Sequence, residues 1–274
     1  MSMSAEIAFP AGELMKNKRG LIMGVANKNS IAWGVAQQLR AQGAELAFSY
    51  VGATESRVRP LAETIGVDFL VQADVTSDAE MDSAFAEIEK KWGRLDFLVH
   101  AIAFTDKEAL KGSFVENTTR RNFKDTMDVS AFSFVDAARR ASRLMPAGGA
   151  MVTLTYLGSE RVVPNYNVMG VAKAALEASM RYVARDLGPK GIRVNAISAG
   201  PMRTLAMAGI AGARQLMSTG RAWSLLREDT TMEGVAGAAL YLLSGLGASC
   251  SGETLHVDAG FHAVGIPDET ALKE

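Results

Sequence analysis

The sequence predicts one doubly wound α/β domain: a parallel sheet of about seven strands with helices on both faces. Three observations predict it. Short apolar runs alternate with segments of helical periodicity along most of the chain, the order in which parallel βαβ units are laid down. The first such unit turns on glycine directly into a helix. The chain has 274 residues, 48% of them hydrophobic, with 26 Gly and 7 Pro, which suits one α/β domain with a large core, or two small ones, and excludes disorder.

Taken in order, residues 20–24 form an apolar run that breaks at glycine and leads into 30–42, where Ile31, Val35, Ala36 and Leu39 recur at helical spacing. Residues 45–50 read as the second strand, 57–65 as a helix, 68–72 as the third strand and 78–92 as an amphipathic helix. The fourth strand is expected at 95–100, a long helix at 120–144 and the fifth strand at 150–154. A helix from about 165 to 187 and strands at 193–197 and 254–257 complete the sheet, both faces of which are covered. The apolar stretch 235–246, broken by Gly and Ser, is too short to span a bilayer and reads as a buried core helix. Residues 16–264 are expected to form the single domain, 1–15 a loose N-terminal arm and 265–274 a C-terminal tail.

Charge and cysteine content narrow the function. With 29 Lys+Arg against 30 Asp+Glu and no basic block, nucleic acid is not an expected partner. The N-terminus lacks the basic start and apolar stretch of a secretory signal, and Cys250, the single cysteine, has no intrachain partner. No Cys/His cluster has zinc spacing, so no metal is expected, nor a membrane; the expected location is cytoplasmic. Cys250 itself, and His100 within an apolar strand, read as core residues, and the 14 methionines as core filling.

Ligands of doubly wound sheets sit at the carboxyl ends of the strands. The first such end carries Gly24, with Ser30 and Ile31 opening a helix whose free amides and positive dipole end suit a pyrophosphate. This placement, in the first βα unit, makes the arrangement Rossmann-type. Asp74 and Val75 follow the third strand, where the carboxylate either accepts from adenine or, with Thr76, caps the next helix. Ile102 lies among small residues after the fourth strand, and Ala199-Gly200-Pro201 after the sixth would shape a wall beside a nicotinamide.

The chemistry is concentrated between Tyr156 and Lys173. Tyr166 and Lys173 stand two helical turns apart on one face, so that a phenol and an ammonium converge beside the strand ends. Near an ammonium and a cofactor cation, a tyrosine's pKa is expected to fall and its hydroxyl to donate to a developing oxyanion, as carbonyl or enoyl reduction requires.

These residues resemble the enoyl-acyl-carrier-protein reductases, a divergent branch of the short-chain dehydrogenase/reductase superfamily, across about residues 18–261. Three motifs carry the likeness: the glycine turn at 24–34, the YxxxxxxK spacing at Tyr166 and Lys173 with the extra Tyr156, and the run from Arg193 to Thr204. The ordinary superfamily spacing is YxxxK. The resemblance implies hydride transfer to the β-carbon of a trans-2-enoyl thioester of acyl carrier protein in bacterial fatty-acid synthesis. Tyr166 would stabilise the enolate, Lys173 would hold the nicotinamide ribose and favour the oxyanion, and Tyr156 would position the thioester. It also implies cofactor contacts at Gly24, Ser30, Ile31, Val51, Asp74, Val75, Ile102, Lys173, Met202, Thr204 and Ala206, and a homotetramer. Tyr50 is followed by Val51-Gly52 with no cation for a 2′-phosphate, which favours NADH over NADPH.

The substrate lid, at about 204–228, departs from the family pattern. Arg214 remains, but Ala211, Ala213 and Gln215 stand where basic or aromatic residues are common, and glycines at 209, 212 and 220 cost helix stability. Two alternatives therefore stay open: a short-chain reductase acting on a ketone or on enoyl-coenzyme A outside fatty-acid synthesis, and a cofactor-binding paralogue without turnover.

Overall fold

A computed structural model of the chain describes residues 9–210 and 212–266. Its seven strands are β1 (Arg19–Met23), β2 (Glu45–Tyr50), β3 (Phe69–Gln72), β4 (Phe97–His100), β5 (Gly149–Thr155), β6 (Ile192–Ala199) and β7 (Thr254–Val257). They form one sheet in the order β3-β2-β1-β4-β5-β6-β7, with every pairing parallel. The order reverses direction at β1 and β4, which opens a crevice at their carboxyl ends.

The two faces are filled by different helices because successive strand residues point to opposite sides. Ile22, Phe48, Val152 and Ile197 pack on one face with α1 (Ile31–Ala41), α2 (Glu55–Thr64) and a later helix, Met232–Leu243. Leu21, Met23, Ala47 and Met151 pack on the other with α3 (Asp78–Trp92) and the middle helices. A side chain as fully buried as Phe48 contributes about 1.5–3 kcal/mol by leaving water. α3 has the expected end signals: Ser77 accepts from the Glu80 amide at 3.3 Å, and Gly93 closes it in the left-handed region.

The expected helix at 120–144 is interrupted. After the short α4 (Phe114–Asn117), the chain forms α5 (Arg120–Met127), a π-helical turn (Asp128–Phe132) and α6 (Ser133–Arg143). The extra residue of the π turn aims Ser130 at the loop after β4. Its hydroxyl donates to the Phe104 carbonyl and accepts from the Phe104 amide, both at 2.9 Å.

α7 (Asn167–Leu187) begins just after Tyr166, which is its N-terminal flanking residue and not part of the first turn. Beyond β6 follow α8 (Leu205–Ala208), α9 (Ala213–Trp223) and α10 (Met232–Leu243), the last ending three residues before the expected position. Among the described residues no helix is long and apolar enough to cross a membrane.

Two further expectations change. Residues 9–15 are not loose: the Gln38 and Gln42 amides donate to the Pro10 carbonyl at 3.3 and 2.7 Å, and Met15 is 1% exposed. Residues 1–8 of that arm and 267–274 of the tail lie outside the described residues. Cys250 is half-buried, because it sits in the loop before β7 with its thiol 3.6 Å from Asn195 Oδ1.

Candidate active site

A cavity of about 1350 Å³ lies at the carboxyl ends of β1, β4, β5 and β6. Gly24, Ser30 and Ile31 line it from the first βα turn, and Ile102 from the loop after β4. Tyr156, Tyr166 and Lys173 line its centre, and Met202, Thr204 and Ala206 its far wall. Val51, Asp74 and Val75 lie outside this lining, on the loops that follow β2 and β3.

The first turn suits an anion for local reasons. Gly24 has φ +103°, and a Cβ there would stand 2.2 Å from the Ala101 carbonyl oxygen, so only glycine lets β1 and the β4 loop approach this closely. Ser30 flanks α1, but its hydroxyl donates backwards to the Asn27 carbonyl at 2.6 Å and caps no amide. No acidic residue stands in the first turn. The α1 amides and the positive dipole end therefore face the cavity uncompensated, a fit for a pyrophosphate.

Asp74 is engaged locally. Its Oδ1 accepts from the Thr76 amide and hydroxyl at 2.9 and 2.7 Å, and its own amide donates to Glu80. Of the two sequence readings, the cap falls to neither Asp74 nor Thr76, since Ser77 caps α3. At the β2 end, Arg59 is paired with Glu55, and Val51 is exposed with no cation beside it in sequence.

The tyrosines are set by packing. Gly158 makes the room: a Cβ there would stand 2.3 Å from the Tyr166 ring. Tyr156 meets Tyr166 edge-on, centroids 5.0 Å apart at 73°. The Tyr156 hydroxyl is buried with no hydrogen-bond partner among the described residues, a polar group left for a ligand to satisfy. Burial, with Asp258 adding to it, pushes this phenol up to about 12. Tyr166 is raised further, first by burial, then by Tyr156 and Glu177. The sequence expectation of a lowered Tyr166 included a cofactor cation; on the chain by itself burial raises it. Its consequence suits catalysis: a raised phenol stays protonated and keeps a proton to donate.

Lys173 is 6% exposed and its Nζ donates to the Leu154 carbonyl at 2.7 Å, which fixes the ammonium at the floor of the cavity. Burial pushes its pKa down to about 8, opposed by Glu177. His100 is a core residue as expected, between Thr153 Oγ1 at 3.0 Å and Ser133 Oγ at 2.9 Å. Burial, then Lys173, hold it down at about 3, so it stays neutral.

The lid is helical. Thr204 caps α8 by accepting from the Met207 amide at 3.2 Å, and Ala213, Leu216 and Met217 of α9 pack against the Tyr156–Tyr166 cluster. Arg214 and Gln215 are exposed on its outer side, and Ala211 lies outside the described residues. Sequence reasoning missed Ser130, Thr155 and Glu177. A Ser in mid-helix and a Glu four residues after a Lys both read as ordinary helix surface.

Comparison with known proteins gives one family. The model described as "Enoyl-(Acyl carrier protein) reductase" matches residues 24–262. The enoyl-[acyl-carrier-protein] reductase [NADH] 2 of Rhizobium meliloti (strain 1021) is 56% identical over 261 residues, 95% of this chain and 97% of that protein. The enoyl-[acyl-carrier-protein] reductase [NADH] of Escherichia coli (strain K12) is 46% identical, covering 94% and 99%. Among solved structures, an enoyl-(acyl-carrier-protein) reductase from Anaplasma phagocytophilum in complex with NAD superposes with a TM-score of 0.92 at 50% identity, covering 95% of this chain and all of that one. On its fold, on its cavity and on these likenesses, the chain belongs to the enoyl-(acyl-carrier-protein) reductase family.

Proposed function

We propose that the protein reduces trans-2-enoyl-acyl carrier protein to the saturated acyl carrier protein with NADH, in bacterial fatty-acid synthesis. The observation that carries this is the convergence of Tyr156, Tyr166 and Lys173 in one cavity with the uncapped α1 N-terminus. The dinucleotide, when bound, supplies the hydride for the substrate β-carbon. Gly24, Ser30, Ile31, Ile102, Met202, Thr204 and Ala206 would hold it within the cavity, with Val51, Asp74 and Val75 as further contacts on the loops after β2 and β3. NADH is favoured over NADPH because the β2 end carries Val51-Gly52 and Arg59 is held by Glu55.

Lys173, anchored on Leu154, would hold the ribose hydroxyls of the cofactor, and its positive charge favours the enolate oxygen. Tyr166 keeps its proton through substrate binding and donates to the enolate oxygen as charge develops there, so its contribution is larger in the transition state than in the ground state. Tyr156 satisfies its orphan hydroxyl on the thioester carbonyl and orients it. Protonation at the α-carbon completes the saturated chain. Residues 204–228 close over the acyl chain as the substrate lid of the single 16–264 domain, and the assembly is a homotetramer.

The test is NADH oxidation with a medium-chain trans-2-enoyl thioester, on carrier protein and on coenzyme A in parallel, with Tyr166→Phe as control. The expected outcome is preference for the carrier-protein thioester and a drop in kcat of about 10²–10³-fold in Tyr166→Phe. NADH affinity should stay within about twofold by fluorescence titration, since the hydroxyl is used only as charge develops. Preference for coenzyme A would assign the chain a reductase role outside fatty-acid synthesis. Cofactor binding with no thioester reduced would overturn the assignment.

A further inference from the structure

Behind β5 lies a second cavity, of about 380 Å³, lined by Ser159, Glu160, Ala174, Glu177, Arg181, Gly252 and Thr254. Its lining differs in character from the first. Ser159 Oγ and Thr254 Oγ1 are buried hydroxyls with no hydrogen-bond partner among the described residues, which marks the space as one that holds ordered water. Arg181 and Glu160 are exposed at its rim, with Glu160 also reached by His256 of β7 at 3.0 Å. On the chain by itself the cavity opens to solvent at this rim.

Between the two cavities stand two side chains in contact. Thr155, 5% exposed, lines the active-site cavity, and Glu177, 6% exposed, lines the second one. The Thr155 hydroxyl donates to Glu177 Oε1 at 2.6 Å. Glu177 lies one helical turn beyond Lys173 on α7, and its charge acts on both Lys173 and Tyr166. A buried carboxylate is costly in a fold, and an ion pair on the surface of α7 would not need it there.

We propose that Glu177 is the proton-exchange residue of the enzyme, passing solvent protons from the rear cavity through Thr155 to the active site. The inference rests on the reductase reading above and goes beyond it. Reduction consumes one proton per turnover: the hydride brings its electron pair to the β-carbon, the displaced π pair forms the enolate, and the α-carbon takes a proton. That proton comes from the Tyr166 hydroxyl by way of the enolate oxygen, which leaves Tyr166 as a phenolate in a pocket whose front is closed by cofactor, acyl chain and lid. In the resting state Thr155 donates to the Glu177 carboxylate. When Glu177 takes a proton from the rear cavity, the bond reverses: Glu177 donates to Thr155, and Thr155 donates forward to water in the active-site cavity and so to Tyr166. The groups facing Glu177 are Lys173 and Arg181 on α7, Tyr166 just before it, Thr155 on β5, and Glu160, itself paired with His256.

Four variants test this: Glu177→Gln, Glu177→Asp, Thr155→Val and Thr155→Ser. Glu177→Gln and Thr155→Val are expected to lower kcat about tenfold or more. Their solvent deuterium isotope effect on kcat should rise above the wild-type value, because proton supply becomes limiting. NADH affinity and thermal midpoint should stay at wild-type values, and Glu177→Asp and Thr155→Ser should recover most of the rate. Full kcat in Glu177→Gln overturns the proposal. So does a lowered kcat with an unchanged solvent isotope effect, or with weakened NADH binding, since either shows that Glu177 only props Lys173. A wild-type chain that binds NADH but reduces no thioester overturns the reductase reading and this inference together, whereas an active wild type with an unaffected Glu177→Gln overturns the inference alone.

Discussion

Lys173 and His100 are a lysine and a histidine whose burial sets two separate pH limits. The Lys173 ammonium, held down to about 8, is charged below that pH and loses its charge as pH rises through it. kcat/KM is accordingly expected to fall above about pH 8, and in Lys173→Arg, a weaker enzyme, that limb should vanish because guanidinium stays charged. A pH–rate profile of both proteins checks this. His100 takes a proton near 6.5 in the unfolded chain but only near 3 in the fold. Between those values the unfolded chain binds more protons, so stability falls as pH falls from 6.5 toward 3, by at most about 1.4 kcal/mol per unit. Urea midpoints at pH 7 and pH 5 should show this loss in the wild type and a smaller one in His100→Gln. The proposed pair Tyr166 and Lys173 was legible because Tyr166 stands directly before α7 and the helical period carries Lys173 to the same side. Glu177 was not, since whether a Lys and a Glu one turn apart face solvent or a buried floor is decided by what α7 packs on, information that no local pattern contains.

At the scale of elements, the β1–α1 unit depends on one backbone contact. Gly24→Ala must relieve both a φ of +103° and an overlap with the Ala101 carbonyl, and β1 cannot move because it pairs on both sides. The expected cost is about 2 kcal/mol of stability and about a tenfold loss of NADH affinity. Gly237→Ala is the matched control: a Cβ there meets nothing within 4 Å inside α10, and stability should rise by about 0.5–1 kcal/mol. Denaturant midpoints and fluorescence titration measure both. Strand positions were legible because each β-run is short, apolar and bounded by turn residues. The π turn at Asp128–Phe132 was not, because it keeps the composition of a helix and changes only its register, and the loop after β4 that it holds was invisible for the same reason.

For the whole molecule, the middle helices leave apolar side chains outside. Phe123 of α5, Phe132 of the π turn, and Val171 and Tyr182 of α7 are exposed on the chain by itself. Covering such residues is what the proposed homotetramer would do. Light scattering is expected to give the mass of four chains, and Phe132→Asp a smaller species. The whole-molecule architecture was the most legible scale, since alternation of strand and helix leaves few right-handed parallel arrangements.

The strand order β3-β2-β1-β4-β5-β6-β7 also fixes when each part of the protein can form during synthesis. The first four strands to leave the ribosome are neighbours and close a half-sheet on their own. Its open side is β4, Phe97–His100, an entirely buried strand in the finished protein. Until β5 is made, this apolar edge is bare on the nascent chain, able to pair with any other extended segment. Tyr156, Tyr166, Lys173 and Glu177 all belong to the part that arrives later, so cofactor cannot rescue the half-made molecule. The interval between translation of residue 100 and residue 155 is thus the one in which the β5 side of β4 has no partner in the chain.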